Sequence, residues 1–137
     1  MILEEGLVAE LRADAGVSAI VGSGSDAQIY SEVVPQGVDG AAIVHARIGT
    51  AREQMLEGPL ALVTARIRLD LWQTSSALMW ALADAVRAVL NVGGTSVLGS
   101  VAVQQIYLDE EYVLSVFEGD RRDYRVIQEY VVRYVEV

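Results

Sequence analysis

The chain contains no cysteine and no lysine, and it has one histidine and two prolines among 137 residues. The absence of cysteine excludes disulfides, zinc–thiolate sites and thiol catalysis. His45 is the one histidine, which argues against a Ser-His-Asp triad and against a multi-histidine metal site. No apolar run approaches the roughly 20 residues of a membrane-spanning helix. The Met-Ile-Leu-Glu-Glu start also lacks the basic segment of a signal peptide, so we expect a protein of the cytoplasm or of a particle assembled there.

The net charge of the chain limits the kinds of partner that it can bind. Nineteen acidic residues against ten basic ones, all arginine, give a net charge of −9 and a pI near 4.4. This argues against a general nucleic-acid coat and against docking on anionic membranes, because both depend on many cationic side chains. A hydrophobic fraction of 53% and a charged fraction of 21% are typical of a globular protein. The length predicts a single domain over residues 1–137.

The hydrophobic spacing predicts an α+β fold in the order α-β-β-β-α-β-β, with two helices packed on one face of an antiparallel or mixed sheet of about five strands. The predicted helices cover 3–12 and 75–91, and the predicted strands cover 28–34, 41–49, 60–72, 100–109 and 123–136. Asp14 is expected to cap a short turn that holds Val17. Residues 50–58 are expected to form a polar loop.

Strand alternation gathers arginines on the predicted sheet face that points away from the helices. The set is Arg47, Arg66, Arg68, Arg125 and Arg133. With Asp70 and Glu129 as its acids, this face has a formal charge of +3, provided that no β-bulge changes the alternation. Three interpretations stay open: a solvated face of mixed charge, an interface that meets acidic groups of a neighbouring copy, and direct DNA binding.

The predicted loop is longer than a hairpin needs and mixes charged with apolar side chains. Its candidate contact residues are Arg52, Glu53, Gln54, Met55 and Leu56. We expect them to reach a neighbouring subunit or the next layer of an assembly; the alternative is that the two apolar residues fold back on the chain's own core.

No residue set assembles a nucleophile, a base and an oxyanion hole. The run Asp109-Glu110-Glu111 has the wrong spacing for an EF-hand and is typical of a solvated turn. The tyrosines lack the surrounding positive charge of a base-stacking platform. We therefore expect no catalytic, cofactor-binding or metal-binding residues, and no enzyme.

Several segments resemble the tail completion, or tail terminator, family of long-tailed phages, which also occurs in gene transfer agents. The similar stretches are Ile29-Tyr30…Val34-Pro35-Gln36-Gly37, Arg47-Ile48-Gly49-Thr50-Ala51-Arg52-Glu53-Gln54…Leu56-Glu57-Gly58-Pro59, Ala65-Arg66-Ile67-Arg68-Leu69-Asp70-Leu71-Trp72, Ala81-Leu82-Ala83-Asp84-Ala85-Val86-Arg87, Val103-Gln104…Leu108-Asp109-Glu110-Glu111 and Tyr124-Arg125-Val126-Ile127-Gln128-Glu129-Tyr130. Together they cover essentially the whole chain.

The resemblance implies a non-enzymatic virion protein at the head–tail junction, assembled in the host cytoplasm. It would form a homohexameric ring on the head-proximal end of the tail tube, stop tube polymerisation and present a surface to the head connector, stopper or neck protein. DNA would pass through the ring without specific binding, and no membrane or cofactor would be involved. Two alternatives remain: a neck or head–tail adaptor protein at the connector, and an unrelated α+β domain that binds a small ligand.

Overall fold

The computed structural model describes residues 2–22, 27–33, 40–55, 58–91, 96–118 and 121–136. The three helices are α1 (Ile2–Ala13), α2 (Ala15–Val21) and α3 (Ser76–Leu90). The seven strands are β1 (Ile29–Ser31), β2 (Ala42–Met55), β3 (Gly58–Gln73), β4 (Ser96–Leu98), β5 (Val101–Val113), β6 (Val116–Glu118) and β7 (Arg121–Val135). The α+β class is confirmed, whereas the expected two helices and five strands were too few.

The additional helix follows from the predicted cap. The Asp14 carboxylate accepts a hydrogen bond from Val17 N at 3.0 Å, so residues 15–21 form a helix of their own rather than a turn. The α1 helix buries Leu3, Leu7 and Leu11, as their i, i+4, i+8 spacing predicts. Burial of each such leucine contributes about 1.5–3 kcal/mol.

The α3 helix begins at the predicted place, because the Ser75 hydroxyl accepts a hydrogen bond from Leu78 N at 3.2 Å. Its buried stripe consists of Met79, Leu82, Ala83, Val86 and Leu90. This stripe packs on β3 and β7, and the other two helices lie beside α3 on the same face of the sheet.

The sheet is mixed and has the strand order β1-β2-β3-β7-β5-β4, with β6 paired to β7 off this path. The β1 strand runs parallel to β2, and the remaining pairs are antiparallel. We call the side that carries α1 and α3 the helix face and the opposite side the outer face. Odd-numbered residues of β3 and even-numbered residues of β7 point to the helix face, as their alternation predicts.

The predicted polar loop at 50–58 is wrong. The β2 strand continues to Met55 and β3 begins at Gly58, so the two form one long hairpin. Register shifts between Arg47 and Gly49 and between Arg52 and Gln54 interrupt the two-residue period. These irregularities and the polar composition explain why the sequence pattern did not predict a strand here.

A close approach of two backbones joins α1 to the turn after β4. A Cβ at Gly6 would lie 2.3 Å from the carbonyl oxygen of Leu98, and one at Gly99 would lie 3.0 Å from the Cα of Gly6. Gly99 also has a φ of +61°. Position 6 therefore requires glycine, because a larger side chain would clash with the turn, although glycine weakens the intrinsic helix propensity of α1.

Candidate assembly interface

Four of the five arginines assigned to the outer face lie there. Arg66 and Arg68 are paired in register with Val131 and Glu129, and Arg125 and Arg133 lie on the same side of β7. Each of the four arginines forms an ion pair within the chain. The face is therefore a network of ion pairs within the chain rather than a row of unpaired cations.

Arg66 is the centre of the first cluster. Its Nε donates to Glu129 Oε1 at 2.8 Å, and its Nη2 donates to Asp109 Oδ2 at 2.6 Å. Glu110 lies 3.9 Å from the same guanidinium. The hydrogen bond from Arg66 lowers the pKa of Glu129, and the hydrogen bond that Tyr112 donates to Glu129 at 3.0 Å raises the pKa of the tyrosine.

Asp70 joins the second cluster. Its carboxylate accepts from Arg68 Nε at 2.7 Å and from Arg125 Nη1 at 3.1 Å. The Arg125 guanidinium stacks 4.6 Å from the centroid of the Trp72 ring. These contacts fix the arginine side chains, so little conformational entropy would be lost if a partner covered them.

The predicted charge of +3 is wrong. The arginines on the outer face number four, and Asp109 and Glu110 of β5 join Asp70 and Glu129 beside them. With Glu53 beside Arg133, the outer face brings four arginines to five carboxylates, a formal charge of −1. The β5 residues were placed in a solvated turn because the sequence pattern of β5 stopped at 109, whereas the strand runs to Val113.

Arg47 lies on the helix face, opposite to the prediction. It pairs in register with Ile67, and its Nε donates to Glu4 Oε1 of α1 at 2.5 Å. A second donor, Nη1, binds the Tyr134 hydroxyl at 3.0 Å. Burial opposes the charged form, but the hydrogen bonds to Glu4 and Tyr134 outweigh it, so the pKa of Arg47 is raised. Arg47 was assigned to the wrong face because consecutive apolar residues of β2, Ile43 and Val44, are buried on opposite faces.

The far end of the β2–β3 hairpin extends beyond β7, the strand that pairs with the other edge of β3. The ladder between β3 and β7 ends at Leu62 and Val135, whereas β2 and β3 stay paired as far as Met55 and Gly58. We call residues 51–55 and 58–62 the arm. Arg52 binds Glu136 at 2.8 Å, with both side chains about half exposed, and Arg133 binds Glu53 at 2.5 Å. The side chains of Gln54 and Met55, and all of Leu56, lie outside the described residues.

Sequence reasoning missed Glu4 and Tyr134 as partners of Arg47. A signal for Glu4 existed, because it precedes Leu7 by three residues and Leu11 by seven and so falls on the buried stripe of α1. An acid on an apolar stripe indicates a buried pair. Nothing in the sequence indicated which arginine, 43 positions away, would supply the partner.

A second group of polar side chains lies inside the fold between α3, β5 and β7. The Tyr130 hydroxyl donates to Gln128 Oε1 at 2.8 Å, and Gln128 Nε2 donates to Glu111 Oε2 at 2.6 Å and to the Ala83 carbonyl at 3.1 Å. Burial raises the pKa of Tyr130. The hydrogen bonds satisfy polar groups that packing has removed from water, which is a structural role.

Exposed apolar side chains concentrate where β5 leads into β6. They are Val113, Leu114, Val116 and Phe117, and between 40% and 54% of each is exposed. Tyr112 precedes them on the outer face.

Within the described ranges, no three His, Asp or Glu side chains group in a way that could hold a metal ion. None of the described helices is both long and apolar enough to cross a membrane.

The fold and its surface define a small α+β protein with a charge-paired sheet face and a projecting hairpin. The profile of the family described as tail completion protein gp17 matches residues 5–134, and the chain belongs to that family. Its role is therefore a structural one in a phage-type tail. No curated protein matches the chain.

Among solved structures, a chain from the virion of a native gene transfer agent (GTA) particle is similar in fold. The TM-score is 0.74 with 21% sequence identity, over 94% of this chain and 91% of that one. At this identity the likeness concerns the fold alone.

Proposed function

We propose that the chain is a tail terminator: a non-enzymatic protein that closes into a homohexameric ring on the head-proximal end of the tail tube. The ring ends tube polymerisation and offers its opposite side to the head connector, stopper or neck protein. Membership of the tail completion family supports the role in the tail. The geometric observation that carries the proposal is the arm, which extends past the β3–β7 ladder.

The arm suits contact with a neighbouring subunit because its ion pairs with the rest of the chain are exposed. The Arg52–Glu136 pair is about half exposed on both sides, and such pairs contribute about 0–1 kcal/mol. A neighbour can therefore exchange one of these partners at little cost in free energy. Repeated heterologous contacts of this kind close into a ring when the rotation between subunits fits.

The outer face contributes the second surface. Its arginines Arg66, Arg68, Arg125 and Arg133 are held by carboxylates of the same chain. A neighbour therefore meets a preorganised, hydrogen-bonding surface of nearly balanced charge rather than a positive patch. The net charge of −9 also suits a channel through which DNA passes without being retained.

The experiment is polymerisation of the tube protein of the same particle with and without this chain, with tube lengths measured by electron microscopy. The proposal predicts short tubes of uniform length, each bound at one end. The test variant carries Arg52→Gln with Glu53→Gln and is expected to give long tubes. The matched control is Glu136→Gln, which breaks the same Arg52–Glu136 pair without altering the arm and should still cap.

Unchanged tube lengths with the wild-type chain would contradict the terminator role. If the chain then bound the isolated head connector but not the tube, it would instead be a neck or adaptor protein.

A further inference from the structure

The long strands β2 and β5 each have an edge that their neighbour covers only in part. The β1 strand pairs with residues 43–45 of β2, and β4 pairs with residues 101–103 of β5. Among the described residues, no other strand pairs with the later part of either edge, which is 46–55 in β2 and 104–113 in β5. Backbone N–H and C=O groups along such an edge are a template for pairing with another chain.

The end of α3 covers the first half of the β5 edge. There, Leu108 N donates to the side-chain oxygen of Asn91 at 3.0 Å rather than to β7. The second half runs in regular register against β7 as far as Val113. Leu114 N donates to the Arg125 carbonyl of β7 at 2.9 Å, so the alternation of an antiparallel ladder turns the backbone groups of Val113 toward the open edge.

The open edge of β2 has a regular stretch of its own. Residues 49–52 run without a register shift against β3, between an irregularity on either side. Thr50 and Arg52 in this stretch are exposed. Their partners in register are Ala65 and Val63, which are buried on the helix face. Directly opposed residues of neighbouring strands share a face, so Thr50 and Arg52 lie on the helix-face side.

On β5, Glu111 and Val113 lie on that same side. Their partners in register are Gln128 and Val126, which are buried on the helix face. Val113 is 48% exposed, whereas the Glu111 carboxylate is partly buried and accepts from Gln128. Each edge therefore presents one charged and one uncharged side chain, two residues apart, on the same side of the sheet.

The strand directions suit pairing of these two edges between copies of the chain. Three antiparallel pairings lead from β2 through β3 and β7 to β5, so β5 runs opposite to β2. Copies related by rotation about an axis along the strands therefore bring β2 of one copy against β5 of the next as an antiparallel pair. The covering strands do not collide, because β1 lies beside the start of β2 and β4 beside the start of β5, which are opposite ends of such a pair.

We propose that β2 of one copy and β5 of the next form a continuous sheet, with Arg52 opposite Glu111. Thr50 then lies opposite Val113. The alternation of faces leaves registers that differ by two residues, and the opposite charges of Arg52 and Glu111 select this one. The inference rests on the proposed function for the ring. In it, Arg52 exchanges its half-exposed pair with Glu136 for an acid of the neighbour.

The competing arrangement is a two-fold dimer through like edges. A β5–β5 pair would bring Asp109-Glu110-Glu111 of two copies together, and like charges opposed across strands are destabilising. A β2–β2 pair would stop at two copies and could not close a ring.

The absence of cysteine from the chain allows introduced cysteines to report on the edge pairing. The test variant carries Thr50→Cys with Val113→Cys. Within one copy these positions are three strand spacings apart, about 14 Å, which is beyond the reach of a disulfide. Disulfides between them therefore form only between copies, and oxidation should give a series of covalent oligomers on a non-reducing gel.

Ala51→Cys with Val113→Cys is the matched control. Ala51 is exposed, as Thr50 is, but it pairs in register with Thr64 and points to the outer face. We expect roughly tenfold fewer cross-links from this variant, because its two side chains lie on opposite sides of the joined sheet.

A second pair of substitutions tests the register. Added to the test variant, Arg52→Gln should lower the yield of cross-links by up to about fivefold, because it removes the cross-strand ion pair. Glu136→Gln frees Arg52 from its own chain and should not lower the yield. Equal yields from the two would contradict the pairing of Arg52 with Glu111.

The oxidation is run on the concentrated chain alone and with tube protein present. Mixing the two single-cysteine chains identifies the partners, and we expect disulfides between positions 50 and 113. An excess of 50–50 or 113–113 disulfides would show like-with-like pairing and overturn the proposal. Yields no higher than those of the control under both conditions would also overturn it.

This result is separable from the terminator role. Capping without cross-links would leave that role standing and assign the ring contacts to other surfaces. Cross-links without capping would leave the edge pairing standing and contradict the terminator role alone.

Discussion

Gly6 and Gly99 bring α1 and the turn after β4 into backbone contact, with no room for a side chain on α1. A methyl group at Gly6 would lie 2.3 Å from the Leu98 carbonyl oxygen, a distance that requires the helix or the turn to move. We expect Gly6→Ala to lower the free energy of unfolding by about 1–3 kcal/mol despite the better helix propensity of alanine. Chemical denaturation of the isolated chain measures it.

Gly49→Ala is the matched control for that substitution. A Cβ at Gly49 would lie 3.9 Å from the Arg66 Cβ, which is ordinary contact. We expect a change within about 0.5 kcal/mol. If Gly6→Ala were equally neutral, the close approach would not be part of the native packing.

The Arg47–Glu4 pair predicts that replacing one partner lowers the free energy of unfolding much more than replacing both. Arg47→Met leaves Glu4 buried without its cation, and we expect a loss of about 3 kcal/mol. Adding Glu4→Met should recover most of that loss, because two apolar side chains then pack at the α1–β2 contact. A double-mutant cycle by denaturation measures the coupling, and additive losses would show that the two residues do not interact.

His45 predicts a pH dependence of stability. Burial lowers its pKa in the folded state, so the unfolded chain binds the proton more tightly. Stability should therefore fall as pH decreases below about 6.5, the usual pKa of histidine. Thermal unfolding at several pH values should show this fall in the wild type and a smaller one in His45→Gln. Equal curves for the two proteins would contradict the assignment.

Glu129 predicts a second dependence at lower pH. Arg66 lowers the pKa of this carboxylate, so its stabilising effect is present above its usual pKa near 4.5 and is lost as pH falls through the folded value. Glu129→Gln should be less stable than the wild type at pH 7, with a difference that shrinks below about pH 4.5. Denaturant titrations of both proteins at pH 7 and pH 3.5 measure it, and a constant difference would argue against the ion pair.

The parts of the fold that depend on local periodicity were predictable. The Leu3, Leu7 and Leu11 spacing and the alternation along β3 and β7 gave the right faces, because a single buried surface imposes a single period. The Asp14 cap was also predictable, since its acceptor lies three residues from its donor.

The misassignments share a physical cause: they depend on pairing between distant segments. The side of Arg47 depends on the register of β2 against β3, and the bulge after it is a tertiary feature. The strand character of residues 50–55 depends on their pairing with β3. The additional acids beside Arg66, Asp109 and Glu110, come from β5, whose bulge at Asp109 no pattern in the sequence predicts.

The most direct test of the account is cryo-electron microscopy of tails assembled from the tube protein and this chain on a tail-tip complex. The account predicts a closed ring of six 14.8 kDa chains, 88.8 kDa in all, only at the end opposite the tip. The arm of each subunit should contact its neighbour or the last tube ring. Density for the chain along the tube, at the tip, or at neither end would contradict the terminator role.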